Sequence, residues 1–475
     1  MVSFGLIDDW QPRPGRLTSW TATPAAVAAA TAAAVDPVPP SHQQEEYLRS
    51  ARRNETADFR FSRLCLLAFD IAAPLNPTAM STALTTFLRR HDTFRSWFAF
   101  DADDRIVRHQ VPVEEIAVAP TAHGDFTTSA AIRAHIHSET PGPFSWDCFS
   151  FGAVEHGDGF TVYCAIDHLY TDGISQALTC VDLMTLYMNA AFGMDNALAP
   201  TGSYHDYCRR ERAVSERLTR DSISVRRWMD LVRDHGGRLP RFPLPLDNDA
   251  NDRIRSGHLT TTIFGDAGAA DRFESACRAQ GANVVAGVLA VAAIVYAEFT
   301  GEVGYLGMTP KSTRQAGPEL NAVGWFTSLI PVPITVTPSD SFSSVVAEAA
   351  HSYAAGKDLT DVSFHRVLEL VEPGDGITVE PGWSVPMVSY IDIRKLPGQE
   401  MFDAINGAMY GNRGSSEEVF MWVNRFPDTT SITLLYPDTP TANDSVHSYV
   451  QRFIDIMNTV ANEGDYALAS LALAR

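Results

Sequence analysis

The feature that most constrains the fold is a change of apolar period within one short stretch of the chain. From Phe160 to Ile166, apolar side chains occupy every second position, the pattern of a β-strand with a buried face. The following apolar positions have helical spacing and lie at Ile174, Ala177, Leu178, Val181, Met184 and Met188. A strand that leads directly into a helix predicts an α/β arrangement at this point.

Mixed strand and helix patterns recur on both sides of a composition break at Gly236–Asp252, which holds three prolines and a run of Asp and Asn. At 475 residues the chain exceeds what one hydrophobic core usually organises. We therefore expect an α/β protein of two lobes, residues 1–200 and 201–475, with a Pro-rich crossing linker near 236–252. Strands are predicted at 63–71, 160–166, 258–264 and 431–437, and helices at 79–91 and 444–461.

Charge and apolar runs exclude several classes of protein. The formal net charge of -20 argues against nucleic acid or an anionic membrane as a general partner. The apolar run Val284–Ala297 spans 14 residues, too short to cross a bilayer and suited to a buried helix. Thr23 and Pro24 are typical first residues of a second, Ala-rich helix. Six scattered cysteines and the lack of a signal-peptide pattern favour reduced thiols in a cytoplasmic protein.

The junction between the strand and the helix has two physically sound interpretations. In the structural one, Asp172 caps the helix and Gly173 completes a tight turn. In the chemical one, His168 faces a cleft and takes a proton from an alcohol or amine, since a histidine titrates near neutral pH. Asp172 would then hold the turn by pairing with a distant arginine, and backbone N–H groups at the helix start would stabilise an oxyanion. Local periodicity alone does not separate the two.

The motif His-x-x-x-Asp-Gly at His168–Gly173 resembles the signature of the condensation-domain superfamily, which includes chloramphenicol-acetyltransferase-like enzymes and the polyketide-associated (Pap) acyltransferases. Other stretches resemble landmarks of that superfamily in the same order, at 39–51, 87–98, 287–301, 304–314, 324–332 and 361–370. The stretches Asp9–Gly15 and Ser145–Gly152 resemble the Pap family in particular.

The resemblance implies two chloramphenicol-acetyltransferase-like lobes in a V shape, with a tunnel between them and His168 at its middle. His168 would be the general base that activates a hydroxyl for attack on an acyl thioester, with no cofactor besides that substrate. Asp172 would be structural and pair with Arg314, and Gly173 would shape the turn. Trp325 and Phe326 are candidates for lining the tunnel, although aromatic residues pack in cores more often.

Two departures from the condensation-domain pattern affect the prediction. Many of these domains carry two adjacent histidines, whereas this chain has Asp167 before His168. Because side chains alternate along a strand, we expect Asp167 to face away from His168 and to be structural. The Asp-Phe-Gly-Trp-Gly latch has no clear counterpart, and Gly407–Gly414 is the nearest region. The missing latch argues against a peptide synthetase, and Asp167 cannot serve as a base of the kind that the first histidine provides.

Other site classes find little support in the sequence. It contains no nucleophile elbow, phosphate-binding loop or His-Glu-x-x-His motif. The fragments His135–His137 and Glu155–Gly159 lack the partner spacing of a zinc site, so we expect surface positions and no metal. The arginine-rich stretches Cys208–Arg220 and Ser224–Arg233 are either solvated helix faces or a docking patch for an anionic donor, coenzyme A or a phosphopantetheine carrier.

We therefore expect a monomeric O-acyltransferase. Its donor would be an acyl-CoA, or an acyl group on a carrier protein or polyketide synthase, and its acceptor a sugar such as trehalose or another lipid or polyketide alcohol. Two alternatives stay open: a free-standing condensation enzyme that forms an amide, and a non-catalytic homologue that recruits a carrier. The missing latch argues against the first, and the intact His168, Asp172 and Gly173 argue against the second.

Overall fold

The computed structural model describes residues 3–56, 63–247, 255–379, 383–414 and 416–468. Residues 248–252 of the expected linker lie outside these ranges; the preceding residues 239–247 carry no helix or strand. The strands are β1 Ser3–Leu6, β2 Gly15–Ala22, β3 Ala34–Asp36, β4 Leu64–Ile71, β5 Ser96–Phe100, β6 Ile106–Gln110, β7 Val118–Phe126, β8 Phe149–His156, β9 Gly159–Asp167, β10 Gly257–Asp266, β11 Gly304–Ser312, β12 Thr327–Thr335, β13 Met387–Asp392, β14 Ala408–Gly411, β15 Phe420–Arg425 and β16 Thr429–Pro437.

Helices alternate with these strands along the described chain, as the mixed pattern predicted. They are α1 Pro24–Thr31, α2 His42–Thr56, α3 Pro77–Arg90, α4 Ser129–Glu139, α5 Gly173–Phe192, α6 Tyr204–Arg217, α7 Ile223–Asp234, α8 Ala267–Ala279, α9 Val284–Thr300, α10 Phe342–Lys357, α11 Phe364–Glu369, α12 Gln399–Phe402 and α13 Pro440–Glu463. Thr23 caps α1 by accepting from the Ala26 amide at 3.1 Å, with Pro24 in the first turn. The four predicted strands and both predicted helices are confirmed within a few residues.

Contacts group the chain into two units. The first unit consists of Met1–Ala213 with two later segments, Arg314–Phe326 and Lys395–Gly414. The second consists of Val214–Thr313, Thr327–Arg394 and Ser415–Arg475. This division differs from two consecutive halves meeting at residues 200 and 201, because the two later segments bond to the first unit: one to α5, the other as a strand of its sheet.

A seven-stranded sheet forms the centre of the first unit, in the order β1-β14-β4-β9-β8-β2-β7. All neighbours are antiparallel except β1 and β14, which are parallel. The central strand β9 is buried on both faces: Val162 and Cys164 on one, Tyr163 and Ala165 on the other. The sequence alternation had indicated only one buried face. A strand enclosed in this way holds the residue that follows it in a fixed position.

The second unit contains a four-stranded sheet, β10-β16-β15-β13, and the two-stranded pair β11-β12. Helix α9 lies in its core, where every residue from Ala286 to Val295 is buried, so the predicted buried helix is confirmed. Among the described residues no single helix has the length and apolarity to cross a membrane; α8 and α9 meet that test only as a pair bent by 91°. All six cysteines are free and buried.

Candidate active site

His168 lies directly after the central strand of the first unit. Strand β9 ends at Asp167, a single 3-10 turn covers His168–Tyr170, and α5 begins at Gly173. The His168 backbone N–H donates to the carbonyl oxygen of Arg63 at 2.7 Å, next to the start of β4. The backbone of His168 is therefore held by two neighbouring strands while its side chain lies beyond the end of the sheet.

Asp172 is the N-cap residue of α5, as the structural interpretation of the turn predicted. Its Oδ1 accepts from the Ser175 amide at 2.8 Å. Its two oxygens also accept from the Arg314 guanidinium, Oδ2 from Nη1 at 2.8 Å and Oδ1 from Nη2 at 3.0 Å. The expected pair of Asp172 and Arg314 is thus present, with the Arg314 side chain 2% exposed.

The ion pair sets the charge state of Asp172. Burial by itself raises the pKa of this carboxyl, but the Arg314 guanidinium and the Ser175 amide and hydroxyl outweigh it and hold the pKa below the usual value. Asp172 is therefore a carboxylate. Because its oxygens are occupied by Arg314 and by backbone amides, its contacts are those of a structural anchor.

Ser175 forms a second connection between α5 and the Arg314–Phe326 segment, one that sequence reasoning missed. Its hydroxyl accepts from Arg314 Nη2 at 2.7 Å and from the Gly324 amide at 3.0 Å, and it donates to the Gly324 carbonyl at 2.8 Å. The Phe326 amide adds a bond to Asp172 at 3.0 Å. These bonds fix Trp325, which lies between Gly324 and Phe326.

Trp325 packs against the candidate base. Its ring centroid lies 4.2 Å from that of His168, with the planes tilted by 50°. The Tyr47 and Trp325 ring centroids lie 5.8 Å apart in a T-shaped, edge-on contact. Phe326 is fully buried instead, under the Arg314 guanidinium at 4.4 Å. Trp325 thus restricts the His168 ring, whereas Phe326 supports the ion pair; a lining role for either aromatic side chain stays a prediction.

The His168 imidazole is neutral over the physiological pH range. Burial, followed by the positive charge of Arg63, lowers its pKa from 6.5 to about 4. Its Nδ1 is buried and forms no hydrogen bond of ordinary geometry with the described residues. The residue's own backbone carbonyl acts in the opposite direction and raises the pKa. If Nδ1 carries the proton, Nε2 keeps the free lone pair that a base requires.

Asp167 is fully buried, although the alternation of side chains had placed it on the face of β9 opposite the one expected to be buried. Its Oδ2 accepts from the Tyr47 hydroxyl at 2.9 Å and its Oδ1 from the Leu169 amide at 2.9 Å. Tyr47 also accepts from the Arg63 amide at 3.0 Å. Asp167 therefore holds the turn through the Leu169 amide, and its negative charge lies close to Arg63.

Gln44 belongs to the stretch 39–51, which the sequence analysis identified only by resemblance to a superfamily landmark. Its Nε2 donates to the Leu169 carbonyl at 2.9 Å, so it holds the 3-10 turn that carries His168. Ser41 caps α2 by accepting from the Gln44 amide at 3.2 Å, and its own amide donates back to the Gln44 side chain at 3.2 Å. The Ser41 hydroxyl also lies 3.1 Å from that of Tyr204.

His91 lies in the stretch 87–98, which resembles a superfamily landmark, and it holds the segment that carries Trp325. Its Nε2 lies 2.9 Å from Asp182 Oδ2, and its Nδ1 accepts from the Val323 amide at 3.3 Å. Burial is the first cause that lowers its pKa, so the ring is neutral, with its proton on the nitrogen that faces Asp182. His91 therefore positions the segment that carries Trp325.

Gly173 leaves open space at the start of α5. A methyl group built on its Cα would meet no atom within 4 Å. The glycine has no left-handed backbone angle to require it. Lack of a side chain therefore keeps the first turn of the helix accessible near His168, rather than relieving backbone strain.

The remaining predicted segments have structural contacts. In the Gly407–Gly414 region, β14 joins the sheet between β1 and β4, and Asn412 accepts from the Leu64 amide at 2.9 Å. On α6, Arg210 pairs with Glu319 at 2.6 Å and Arg212 with Glu45 at 2.6 Å. These arginines have acidic partners, as the solvated-face interpretation predicted.

Comparison with known proteins agrees with this geometry. The family described as Condensation domain matches residues 65–374. The chain is 38% identical over 455 residues to trehalose-2-sulfate acyltransferase PapA2 of Mycobacterium tuberculosis strain H37Rv, covering 95% of each protein. It is 36% identical over 468 residues to 2'-acyl-2-O-sulfo-trehalose (hydroxy)phthioceranyltransferase PapA1 of strain CDC 1551, covering 98% of this chain and 89% of PapA1.

Solved structures give the same assignment. A structure described as PapA2 acyl transferase matches with a TM-score of 0.89 and 37% identity, over 97% of this chain and 100% of that one. The condensation domain from Monacolin K polyketide synthase MokA matches with a TM-score of 0.71 over 92% of this chain and 100% of that one; at 16% identity it bears on the fold alone. The chain therefore belongs to the polyketide-associated (Pap) acyltransferases, within the condensation-domain family.

Proposed function

We propose that the protein transfers a fatty or polyketide acyl group from a thioester to a hydroxyl of trehalose or a sulfated trehalose, with His168 as the general base. The observation that carries the proposal is the neutral, positioned His168 in a chain that is 36% to 38% identical to two Pap acyltransferases over nearly its whole length. Both relatives are named for acyl transfer to sulfated trehalose.

In the proposed reaction His168 Nε2 takes the proton of the acceptor hydroxyl as its oxygen attacks the thioester carbonyl carbon. The C–O bond forms and the carbonyl becomes a tetrahedral oxyanion. Collapse of this intermediate breaks the C–S bond, and the thiolate leaves with the proton held on His168. Neither a covalent acyl-enzyme nor a cofactor besides the thioester takes part.

The low pKa of His168 favours the first half of this cycle in one respect and opposes it in another. A pKa of about 4 keeps the imidazole unprotonated at cellular pH, so His168 can accept a proton in every enzyme molecule. The same value makes the resting imidazole a weak base. We infer that a bound acceptor and the developing oxyanion raise the His168 pKa, since nearby negative charge stabilises imidazolium.

The donor would be an acyl-CoA or an acyl group on a carrier protein, since both present a thioester on phosphopantetheine. We also propose that the enzyme acts as a monomer in the cytoplasm. Six free, buried cysteines support a reducing compartment.

The test compares wild type with His168→Ala for thiol release from medium-chain and long-chain acyl-CoA. Trehalose, trehalose-2-sulfate and an amine of similar size are the acceptors, and mass spectrometry identifies the product. We expect an ester that depends on the sugar, with a rate about 10²- to 10⁴-fold lower in the variant. Circular dichroism of both proteins serves as the control for folding.

Each alternative outcome has a distinct meaning. An amide product in place of an ester would contradict O-acyl transfer and favour a condensation enzyme. Equal rates for wild type and His168→Ala would contradict the assignment of the base. If acyl-CoA gives no turnover, the same assay with an acyl group on a carrier protein decides, and failure there too would overturn the proposal.

A further inference from the structure

A cluster of three metal-ligating side chains lies in the first unit, and none of the contacts described around His168 involves these residues. His123, His135 and Glu139 each offer one ligand atom, and these atoms lie within 4.8 Å of one another. All three residues are partly buried. Local spacing around His135 had predicted no metal site, because His123 comes from a different element.

His123 owes its orientation to an irregularity in β7. The pairing of β7 with β2 shifts register between Leu17 and Thr18, which pair with Gly124 and Ala122 and leave His123 as the extra residue. Gly124 has a left-handed φ of 80°. A bulge of this kind redirects one side chain out of the regular alternation, and such bulges are common next to functional sites.

The other two ligands come from one helix. His135 and Glu139 are four residues apart on α4, so their side chains lie on the same face. The neighbouring face of α4 carries Ile132 and Ile136, which are fully buried and fix the helix on the sheet. The helix therefore presents His135 and Glu139 together from a firmly packed element.

The hydrogen bonding of the two histidines suits metal binding. His135 Nε2 is buried and has no hydrogen-bond partner among the described residues, although buried polar atoms almost always have one. His123 Nε2 lies 2.7 Å from the hydroxyl of the fully buried Ser19. That bond orients the His123 ring and leaves its Nδ1 as the ligand atom, an arrangement found where a histidine binds metal through one nitrogen and is held through the other.

The rings already meet at close range. The His123 and His135 centroids lie 4.3 Å apart at 62°. Tetrahedral zinc with bonds of about 2.0–2.1 Å separates its ligands by about 3.4 Å, so side-chain adjustments of about 1 Å close the site.

We propose that His123, His135 and Glu139 bind a divalent transition-metal ion of the zinc class and thereby tie β7 to α4. Two imidazoles and one carboxylate form a donor set that suits Zn²⁺ and leaves a fourth position for water. Hard cations such as Mg²⁺ and Ca²⁺ prefer all-oxygen sites and are excluded by the same donors.

The test is a titration of chelator-stripped protein with Zn²⁺ by isothermal calorimetry. We expect one equivalent to bind with a Kd below about 10 μM. The affinity should fall at least about 10-fold in His135→Gln and in Glu139→Gln. His137→Gln is the matched control, since His137 lies on the same helix outside the cluster, and it should bind as wild type does. Mg²⁺ should produce no signal in any of the four proteins.

A thermal-shift measurement gives an independent readout. One equivalent of Zn²⁺ should raise the Tm of wild type and of His137→Gln but not that of the two ligand variants, because only binding to the folded state stabilises it. If a ligand variant fails to fold, the other decides. Wild-type binding weaker than about 10 μM, or unchanged binding in a folded ligand variant, would overturn the proposal and leave two histidine rings that merely pack together.

Discussion

Arg314 donates to both carboxylate oxygens of Asp172, at 2.8 and 3.0 Å, across 142 residues of sequence. This pair connects the turn after β9 to the segment that carries Trp325, and both partners are almost fully buried. The Asp172 of the motif therefore acts through geometry: it determines where Trp325 lies, and Trp325 restricts the His168 ring.

Breaking this ion pair should destabilise the protein, and the effects of removing its two partners should not be additive. Asp172→Asn leaves the Arg314 charge buried without a counter-charge, and we expect a loss of about 3–5 kcal/mol in the free energy of unfolding. The double variant Asp172→Asn with Arg314→Gln should lose less than the sum of the two single variants. Urea unfolding of all four proteins measures both quantities; additive losses would contradict the coupling.

The acid limb of activity should lie well below the pKa of an ordinary histidine. As the proposed base, His168 would accept a proton only when unprotonated, and its pKa of about 4 keeps it so down to acidic pH. We expect kcat/KM to stay level as pH falls through 6.5 and to decline only nearer pH 4, measured with donor and acceptor that do not titrate in this range. Decline with a midpoint near 6.5 would contradict the lowered pKa.

Arg63 offers a test of the cause of that shift. Its charge is the second cause that lowers the His168 pKa, after burial. Arg63→Gln removes the positive charge and should therefore move the acid limb to higher pH, whereas Arg63→Lys keeps the charge and should move it less. A purely structural role for Arg63 would change the rate without moving the limb.

Gly173→Ala should separate accessibility from folding. The added methyl group meets no protein atom within 4 Å, and alanine is favoured over glycine in a helix, so the free energy of unfolding should change by no more than about 1 kcal/mol. Acyl transfer should nevertheless fall if substrate uses this space. Gly152→Ala is the contrasting variant, since its methyl group would lie 2.2 Å from the Tyr163 ring. Normal activity in Gly173→Ala would show that substrate does not approach this turn.

Gln44→Ala should weaken the turn that carries His168. The change removes the hydrogen bond to the Leu169 carbonyl and leaves that buried acceptor unpaired, at a cost of about 1–3 kcal/mol. We expect kcat to fall while the acid limb stays in place, because Gln44 does not set the His168 pKa. Unfolding curves and a pH profile on the same preparation measure the two effects separately.

The turn itself was predictable because its signals are local. A strand of period two, an Asp at the N-cap and helical spacing from Ile174 are all readable between Phe160 and Met188, and the structure has β9, the cap and α5 where these signals predicted them. The buried helix α9 was predictable for the same reason, since an unbroken apolar run needs burial on every side. The partnership of Asp172 with Arg314 came from family resemblance, not from local pattern.

Contacts between distant parts of the chain were not predictable in this way. Gln44 and Leu169 are 125 residues apart, and Ser175 and Gly324 are 149 apart, so no local period contains either contact. His123 and His135 met only because a bulge in β7 faces one side of α4. The sequence by itself determined the strand and the turn, and it pointed to His168 as the candidate base. Tertiary structure alone decided which side chains surround that base, because burial and hydrogen bonding depend on packing between distant segments.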